Sequence, residues 1–459
     1  MVTVIGLEIH AELLTKTKIF CSCENSFGGK PNERVCPICA GFPGTMPSFN
    51  KEAAILAVKA GKALGCKINN YSAFDRKNYF YPDLPKAYQI TQYEYPICTE
   101  GSVSVGKKSF GITRIHMEED AGKLIHTESG SQADFNRCGV PLIEIVTEPD
   151  FENGDEVCSF VEEIALRLKY CGVCDARLEQ GSLRVDVNIS VKEENCQTLG
   201  TRTEIKNLNS YKAIKKAIAY EAARQEKILH SGGSIMRETL RFDGEKTYSM
   251  RSKESAEDYR YFPEPDIPPI FISDEEIEEI TIPRLPGERI NEYTKNHGLS
   301  DSDAKLIVQD REFSDIYEKS AEIYPDYSET TKLMLGAYSR ELNKNRENKI
   351  TAQIIAETVR LISEGKISKN SANEILSESA VTGGNPQEIA EKHGMLMQDN
   401  TQMITEAANK IIAENPKAVS DYKSGNKKSF GFLMGKLMTL AGKSANPKTA
   451  KDILSELLN

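Results

Sequence analysis

Glu8, His10 and Glu12 stand at alternate positions in Gly6-Leu7-Glu8-Ile9-His10-Ala11-Glu12, a run that otherwise reads as a β-strand. Residues two apart share one face of a strand, so the three point the same way. The pattern recurs in His116-Met117-Glu118-Glu119-Asp120, in Leu142-Ile143-Glu144-Ile145-Val146-Thr147-Glu148 and in Arg184-Val185-Asp186-Val187-Asn188. Leu183, Val185, Val187 and Ile189 point the other way, into a core. A sheet that gathers acids on one face must solvate them, pair them or neutralise them with metal. Mg²⁺ suits such a face, because it takes oxygen ligands and keeps waters and substrate phosphates around it. A solvated acidic face, with His10 as an ordinary core histidine, is the plainer alternative. Both readings stay open at this point. The run from Asp75 to Asp83, with Lys86, adds cations and aromatics able to hold an anionic or RNA substrate.

A second chemistry lies in the cysteines. Cys21-Ser22-Cys23 and Cys36-Pro37-Ile38-Cys39 form two close pairs. Two thiolates in a knuckle reach one ion, and a second pair completes a tetrahedron. Cys21, Cys23, Cys36 and Cys39 therefore predict a structural Zn²⁺ site, since four sulfurs close the coordination shell. The other cysteines, Cys171 and Cys174 among them, read as core residues.

The elements that position these groups follow from periodicity. Residues 1 to about 290 mix strands with few helices: Asn50 caps one that ends near Gly65, another follows Asp155 and stops at Gly172, and a third starts at Ser210. The strands predict a largely antiparallel sheet with helices on one side. Phe262-Pro263-Glu264-Pro265-Asp266-Ile267-Pro268-Pro269 and Pro283-Arg284-Leu285-Pro286-Gly287 break the pattern. Beyond them come amphipathic helices, including Ile354, Ile355, Val359 and Ile362, then Ile367 to Leu376, interrupted at Gly383-Gly384-Asn385-Pro386. The fold class is α+β: a largely antiparallel-sheet cradle domain over 1–287, an all-α helical domain over 288–400, and a small α-helical tail domain over 401–459.

The chain has 459 residues, 39% of them hydrophobic and 27% charged, as in a soluble globular protein with ample core. No run approaches a membrane span, and the N-terminus enters a strand pattern directly, which predicts no signal peptide. Eleven cysteines predict reduced thiols and a cytoplasmic home. The net charge of −10 hides a basic tail: Asn415 to Lys451 holds eight lysines and one acid, Asp421. Lys427, Lys428, Lys436, Lys443, Lys448 and Lys451 surround the apolar stripe Phe430, Leu433, Met434, Leu437 and Leu440. A solvated helical face is the plain reading of them, and a basic surface for an anionic partner is the other. No P-loop, G-x-G-x-x-G or H-E-x-x-H motif occurs, and no Ser-His or Cys-His nucleophile can be picked out. Any phosphate chemistry must use a non-P-loop site, and any hydrolysis of a glutamine donor must happen on another chain.

Six ordered motifs carry a family resemblance. They are Val4 to His10, Asp75 to Asp83, His116 to Lys123, Pro141 to Val146, Glu204 to Ser210, and Asp258-Tyr259-Arg260-Tyr261-Phe262-Pro263-Glu264-Pro265-Asp266. With them the chain resembles, over its whole length, the B subunit of aspartyl/glutamyl-tRNA amidotransferase. The resemblance implies an ATP-dependent carbon–nitrogen ligase using Mg²⁺. ATP phosphorylates the side-chain carboxylate of Glu or Asp misacylated on tRNA(Gln) or tRNA(Asn), and ammonia then displaces phosphate. It further implies a heterotrimer with a glutaminase A subunit, which channels the ammonia, and a small C subunit. Glu8, His10, Glu119 and Glu144 fall near the metal, with Glu118, Asp120 and Asp186 as neighbours. Lys77, Lys86 and Glu119 fall where the ammonia route opens. The tail domain falls where the family holds tRNA. The related archaeal E subunit acts on Glu-tRNA(Gln) only and carries an extra inserted domain, for which 459 residues leave little room. A zinc-stabilised RNA-binding scaffold without chemistry is the third reading. Strict alternation puts Glu118 and Glu119 on opposite faces, so Glu119 reaches the metal only across a β-bulge.

Overall fold

The structure is a computed structural model. It describes the chain except residues 129, 253–255, 398–400, 425, 443, 444, 446 and 459, and except the side chains of 251, 252, 256, 257, 427 and 448. Two compact units divide it, Met1–Leu285 and Pro286–Asn459.

The first unit is built on a nine-stranded sheet. Its strands are β1 (Val2–Glu12), β2 (Lys67–Ile68), β3 (Cys98–Val105), β4 (Lys108–Glu119), β5 (Pro141–Thr147), β6 (Leu183–Lys192), β7 (Thr203–Leu208), β8 (Glu238–Phe242) and β9 (Thr247–Ser252). Their order is β9-β8-β7-β6-β1-β5-β4-β3-β2. Only β7 and β8 pair in parallel; the other pairs are antiparallel.

Alternation gives the sheet two unlike faces. Ile5, Leu7, Ile9 and Ala11 of β1 are buried on one, with Ile143 and Ile145, Ile115 and Met117, and Val185, Val187 and Ile189. They join one apolar core with three helices, α1 (Lys51–Ala63), α2 (Gly154–Tyr170) and α3 (Tyr211–His230), through Leu56, Phe160, Ile164, Ile214 and Ile218. Each of the larger side chains among them contributes about 1.5–3 kcal/mol when fully buried. The helix starts are fixed by caps. Asn50 accepts from Glu52 N at 3.0 Å, Asn153 from Asp155 N and Glu156 N at 3.0 Å each, and Ser210 from Ala213 N at 3.2 Å. The second helix therefore starts one residue before Asp155, because Asn153 offers the stronger cap. Gly172, at φ +65°, follows its C-cap. Cys171 and Cys174 are buried as expected, but Cys196 is exposed.

A small three-stranded sheet, ordered Phe262–Pro263, Asp75–Asn78, Tyr88–Thr91, flanks the large one. Arg76 fastens it: its guanidinium donates to Glu264 at 2.7 and 2.9 Å and to Asp266 at 3.1 Å.

Every named element of the second unit is a helix, among its described residues. Ile354, Ile355 and Val359 are buried on helix Ala352–Ser363. The next helix begins at Lys369, because Ser368 caps it by accepting from Ser371 N at 3.1 Å. Gly383 ends that helix at φ +72°, and Asn385 with Pro386 starts another. The tail helices Thr401–Glu414, Pro416–Lys423, Lys427–Ala441 and Pro447–Leu458 share an apolar cluster of their own, including Ile404, Ile411, Leu433, Leu437 and Leu454. Phe430 and Met434 pack against it, whereas Leu440 is exposed and Ala441 takes the buried position. The stripe runs 433, 437, 441, a four-residue step that leaves 440 on the outer face.

Candidate functional site

The polar face of the sheet collects carboxylates from five adjacent strands. His10 of β1 lies opposite Glu144 of β5, and Glu144 lies opposite His116 of β4. His10 Nε2 is 3.3 Å from Glu144 Oε2 and 3.5 Å from Glu118 Oε1. His116 Nε2 is 3.3 Å from the same Glu144 oxygen and 3.9 Å from Glu118 Oε2. On the other side of β1, Glu8 lies opposite Asp186 of β6, and Asn188 lies opposite Glu204 of β7. Asn188 donates to Glu8 at 3.0 Å, Lys206 donates to Asp186 at 2.6 Å, and Thr239 donates to Glu204 at 2.9 Å.

Among the described residues, three clusters bring possible ligand atoms within 4.8 Å of one another: His10–Glu118–Glu144, Glu8–Asp186–Glu204 and Cys21–Cys23–Cys36–Cys39. The first two are neighbours, because Glu8 and His10 are two residues apart on β1. Glu8–Asp186–Glu204 offers only oxygens, the donor set of Mg²⁺, Mn²⁺ or Ca²⁺. His10–Glu118–Glu144 offers two carboxylates and an imidazole, also suited to a divalent ion.

Electrostatics keeps this pocket of charge in balance. Burial disfavours the His10 cation, but Glu144 and then Glu118 outweigh it and raise its pKa to about 9. Burial likewise opposes ionisation of Glu144, and His116 and His10 overcome it, holding the carboxyl well below its ordinary range. Glu12, the third acid of β1, is pushed up to about 7 by burial and by Asp120. Asp120 itself is taken up by Arg184, at 2.7 and 3.2 Å, and by Arg137 at 3.3 Å. It is spoken for by arginines and stands outside the metal-competent clusters.

Glu119 departs from the expected set of Glu8, His10, Glu119 and Glu144. It pairs with Pro141, as Glu118 pairs with Leu142, and the only register shift between β4 and β5 lies at Val146/Thr147. No bulge turns the strand between them, so Glu118 faces His10 and Glu119 faces away. Glu119 is buried on the far side, where its Oε1 accepts from Lys86 Nζ and from Ile90 N at 2.9 Å. Lys86 and Glu119 thus meet. Lys77 does not join them; its ammonium lies over the Tyr259 ring at 4.7 Å. Glu8 and Asp186 meet in the second cluster, together with Glu204, which is absent from the set expected from sequence. A sign of it is present there: Glu204 stands next to apolar Ile205 and two residues from Lys206, so it shares a face with that cation as the other acids share theirs with polar groups. His116, two residues before Glu118, is a second addition of the same kind.

The four cysteine sulfurs fit zinc. Cys36 and Cys39 Sγ are 3.8 Å apart, and the Cys36 N–H donates to Cys39 Sγ at 3.2 Å. A hydrogen bond from Cys21 draws the Cys39 thiol down to about 4, with Lys18 adding to the pull. The donor set, all sulfur and fourfold, is that of a structural Zn²⁺ site.

In the tail, Lys428, Lys436 and Lys451 are exposed. Lys427 and Lys448 lie on helices, but their side chains are outside the described set, and Lys443 lies outside the described residues altogether. Among the described residues, no helix is long and apolar enough to cross a membrane.

Residues 3–278 match the GatB/GatE catalytic domain. The chain belongs to the GatB/GatE family. Residues 315–458 also match the GatB domain. Proteins named as the B subunit of aspartyl/glutamyl-tRNA(Asn/Gln) amidotransferase are similar to it end to end. That of Caldicellulosiruptor saccharolyticus is 47% identical, over 99% of this chain and 98% of the relative. That of Thermoanaerobacter pseudethanolicus is 46% identical over 99% of both chains. That of Clostridium tetani is 44% identical over 100% of this chain and 98% of the relative. Both matched regions of the chain are therefore of the GatB type. Its acid face lies wholly within the matched catalytic domain, and its basic helices lie within the GatB domain.

Proposed function

We propose that the acid face is where ATP activates the side-chain carboxylate of Glu-tRNA(Gln), Asp-tRNA(Asn) or both, ahead of amidation. The supporting observation is the adjacency of His10–Glu118–Glu144 and Glu8–Asp186–Glu204 on one face of five neighbouring strands. A carboxylate is a poor acceptor for ammonia, because its leaving group is oxide. Attack of its oxygen on the γ-phosphorus of ATP makes an acyl phosphate and releases ADP. Ammonia then adds to the carbonyl carbon, phosphate leaves, and one proton passes to a base. Glu118, Glu144 and His10, with Glu8, Asp186 and Glu204 beside them, would hold Mg²⁺, which would supply charge neutralisation for the transferring phosphoryl group. Lys206, paired to Asp186 and Glu204, adds a cation near the same phosphates.

Ammonia comes from a glutaminase A subunit, supported by a small C subunit, and enters past Lys86 and Glu119. The exposed tail lysines hold the tRNA backbone through counterion release. The four cysteines hold one Zn²⁺ and give it a structural role. The complex works in the cytoplasm, where aminoacyl-tRNA is made.

The test is Glu144→Gln in the reconstituted complex. ATP-dependent amidation is expected to be lost, with glutamine hydrolysis by the A subunit retained. Wild-type amidation by Glu144→Gln overturns the assignment.

A further inference from the structure

A cavity of about 260 Å³ lies on the other side of β4 from the acid clusters. One wall comes from the cysteine knuckle, through Cys21, Cys39, Gly41 and Phe42. The facing wall includes Lys86 and Glu119. Glu119 is next in sequence to Glu118, so cavity and acid face stand back to back across a single strand.

The knuckle does more than border this space. Gly41 has φ +70°, and a Cβ built on it meets Lys86 Cγ at 2.6 Å, Lys86 Cα at 3.1 Å and Lys86 N at 3.2 Å. Only glycine lets the knuckle backbone approach Lys86 so closely, and both its conformation and its missing side chain are needed. At the other end of the lysine, the ammonium lies 5.9 Å from the centroid of Phe20, the residue before Cys21. Lys86 is thus gripped along its length by the knuckle while it bonds Glu119. The knuckle is anchored in turn by Lys18, which is fully buried and donates to Arg34 O at 2.8 Å, Cys39 Sγ at 3.6 Å and Phe135 O at 3.5 Å.

We propose that the knuckle is a clamp: through Gly41 and Phe20 it positions Lys86 on Glu119 and seals the cavity, so that ammonia reaches the activated carboxylate rather than solvent. Gly41 is a positioning residue here, acting through Lys86. The inference rests on the reading that this chain amidates aminoacyl-tRNA with ammonia delivered from a partner.

The experiment measures glutamine consumed per amide formed by the reconstituted complex carrying Gly41→Ala. The ratio is expected to rise by about threefold or more, since small displacements at a reacting centre are costly. Gly28→Ala is the control. Gly28 lies in the loop between the two cysteine pairs at φ +84° with nothing within 4 Å of a built Cβ, so it too has a positive φ but lacks the contact. Its ratio should stay at the wild-type value. In a double-mutant cycle, Gly41→Ala should add nothing to the ratio of Lys86→Ala. Phe42→Ala, which opens the wall without inserting an atom, should also raise the ratio and covers the case in which Gly41→Ala does not fold. Equal ratios for Gly41→Ala and Gly28→Ala, additivity with Lys86→Ala, or an unchanged ratio in Phe42→Ala each overturn the clamp. Absence of glutamine-dependent amide formation by the wild-type complex is a different failure, that of the underlying reading.

Discussion

Glu118 and Glu119 are adjacent on one strand and serve opposite sides of it. Glu118 approaches His10 at 3.5 Å on the acid face, and Glu119 is bound by Lys86 and the Ile90 N–H on the other. The two carboxylates that strict alternation places on opposite faces therefore divide into an acid-face group and a cavity-side group.

Their substitutions should separate two steps. Glu118→Gln should depress ATP cleavage that depends on misacylated tRNA by about 10- to 100-fold, the scale of disturbing a metal's surrounding hydrogen bonds. Glu119→Gln should leave that cleavage within a few-fold of wild type and lose ammonia to solvent. ADP release measured without glutamine reports the first step, and free ammonium with glutamine reports the second. The reverse assignment of effects would show that the strand faces have been misread.

His10 links pH to metal binding and to stability. Its folded-state pKa is raised from 6.5 to about 9, so in the metal-free protein its charge stabilises the fold below pH 6.5, and that contribution fades as pH rises through about 9. A divalent ion that takes the imidazole must displace the proton, so Mg²⁺ or Mn²⁺ affinity should climb with pH up to about 9. Titrations of wild type and His10→Gln by calorimetry at three pH values check this. An affinity independent of pH in wild type removes His10 from the ligand set.

Metal analysis should find about one zinc per chain, and Cys36→Ser should lose it together with thermal stability. A metal-free chain with unchanged melting behaviour contradicts the zinc assignment.

Replacing Lys428, Lys436 and Lys451 with alanine should weaken tRNA binding and lower the slope of log K against log salt by about two to three. Leu433→Ala should cost about 2–5 kcal/mol within the tail bundle, because that side chain is fully buried. Filter binding at two salt concentrations tests the lysines, and an unchanged slope makes them an ordinary solvated face.

The sheet is legible in the sequence because its two faces differ so sharply. Ile143, Glu144 and Ile145 announce both the strand and the face that gathers the acids. Caps at Asn50 and Ser210 place two helices, since a side-chain oxygen at a helix start is a local signal. What periodicity cannot supply is lateral neighbourhood. That Glu204 joins Glu8 and Asp186 depends on β7 pairing with β6, a contact between strands separated by a loop. That Lys86 packs on Gly41 depends on a tertiary approach that only a glycine permits. Leu440 escapes the predicted stripe because a three-residue and a four-residue step are equally helical until the packing partner chooses between them.

The most direct measurement labels the side-chain carboxylate of Glu-tRNA(Gln) or Asp-tRNA(Asn) with heavy oxygen and follows it through a turnover by the complete complex. Activation by phosphorylation at His10, Glu118 and Glu144 sends one labelled oxygen into the released phosphate in wild type. Glu144→Gln should release no labelled phosphate while still hydrolysing glutamine. Unlabelled phosphate from the wild-type reaction, or label transfer at the wild-type rate by Glu144→Gln, contradicts it.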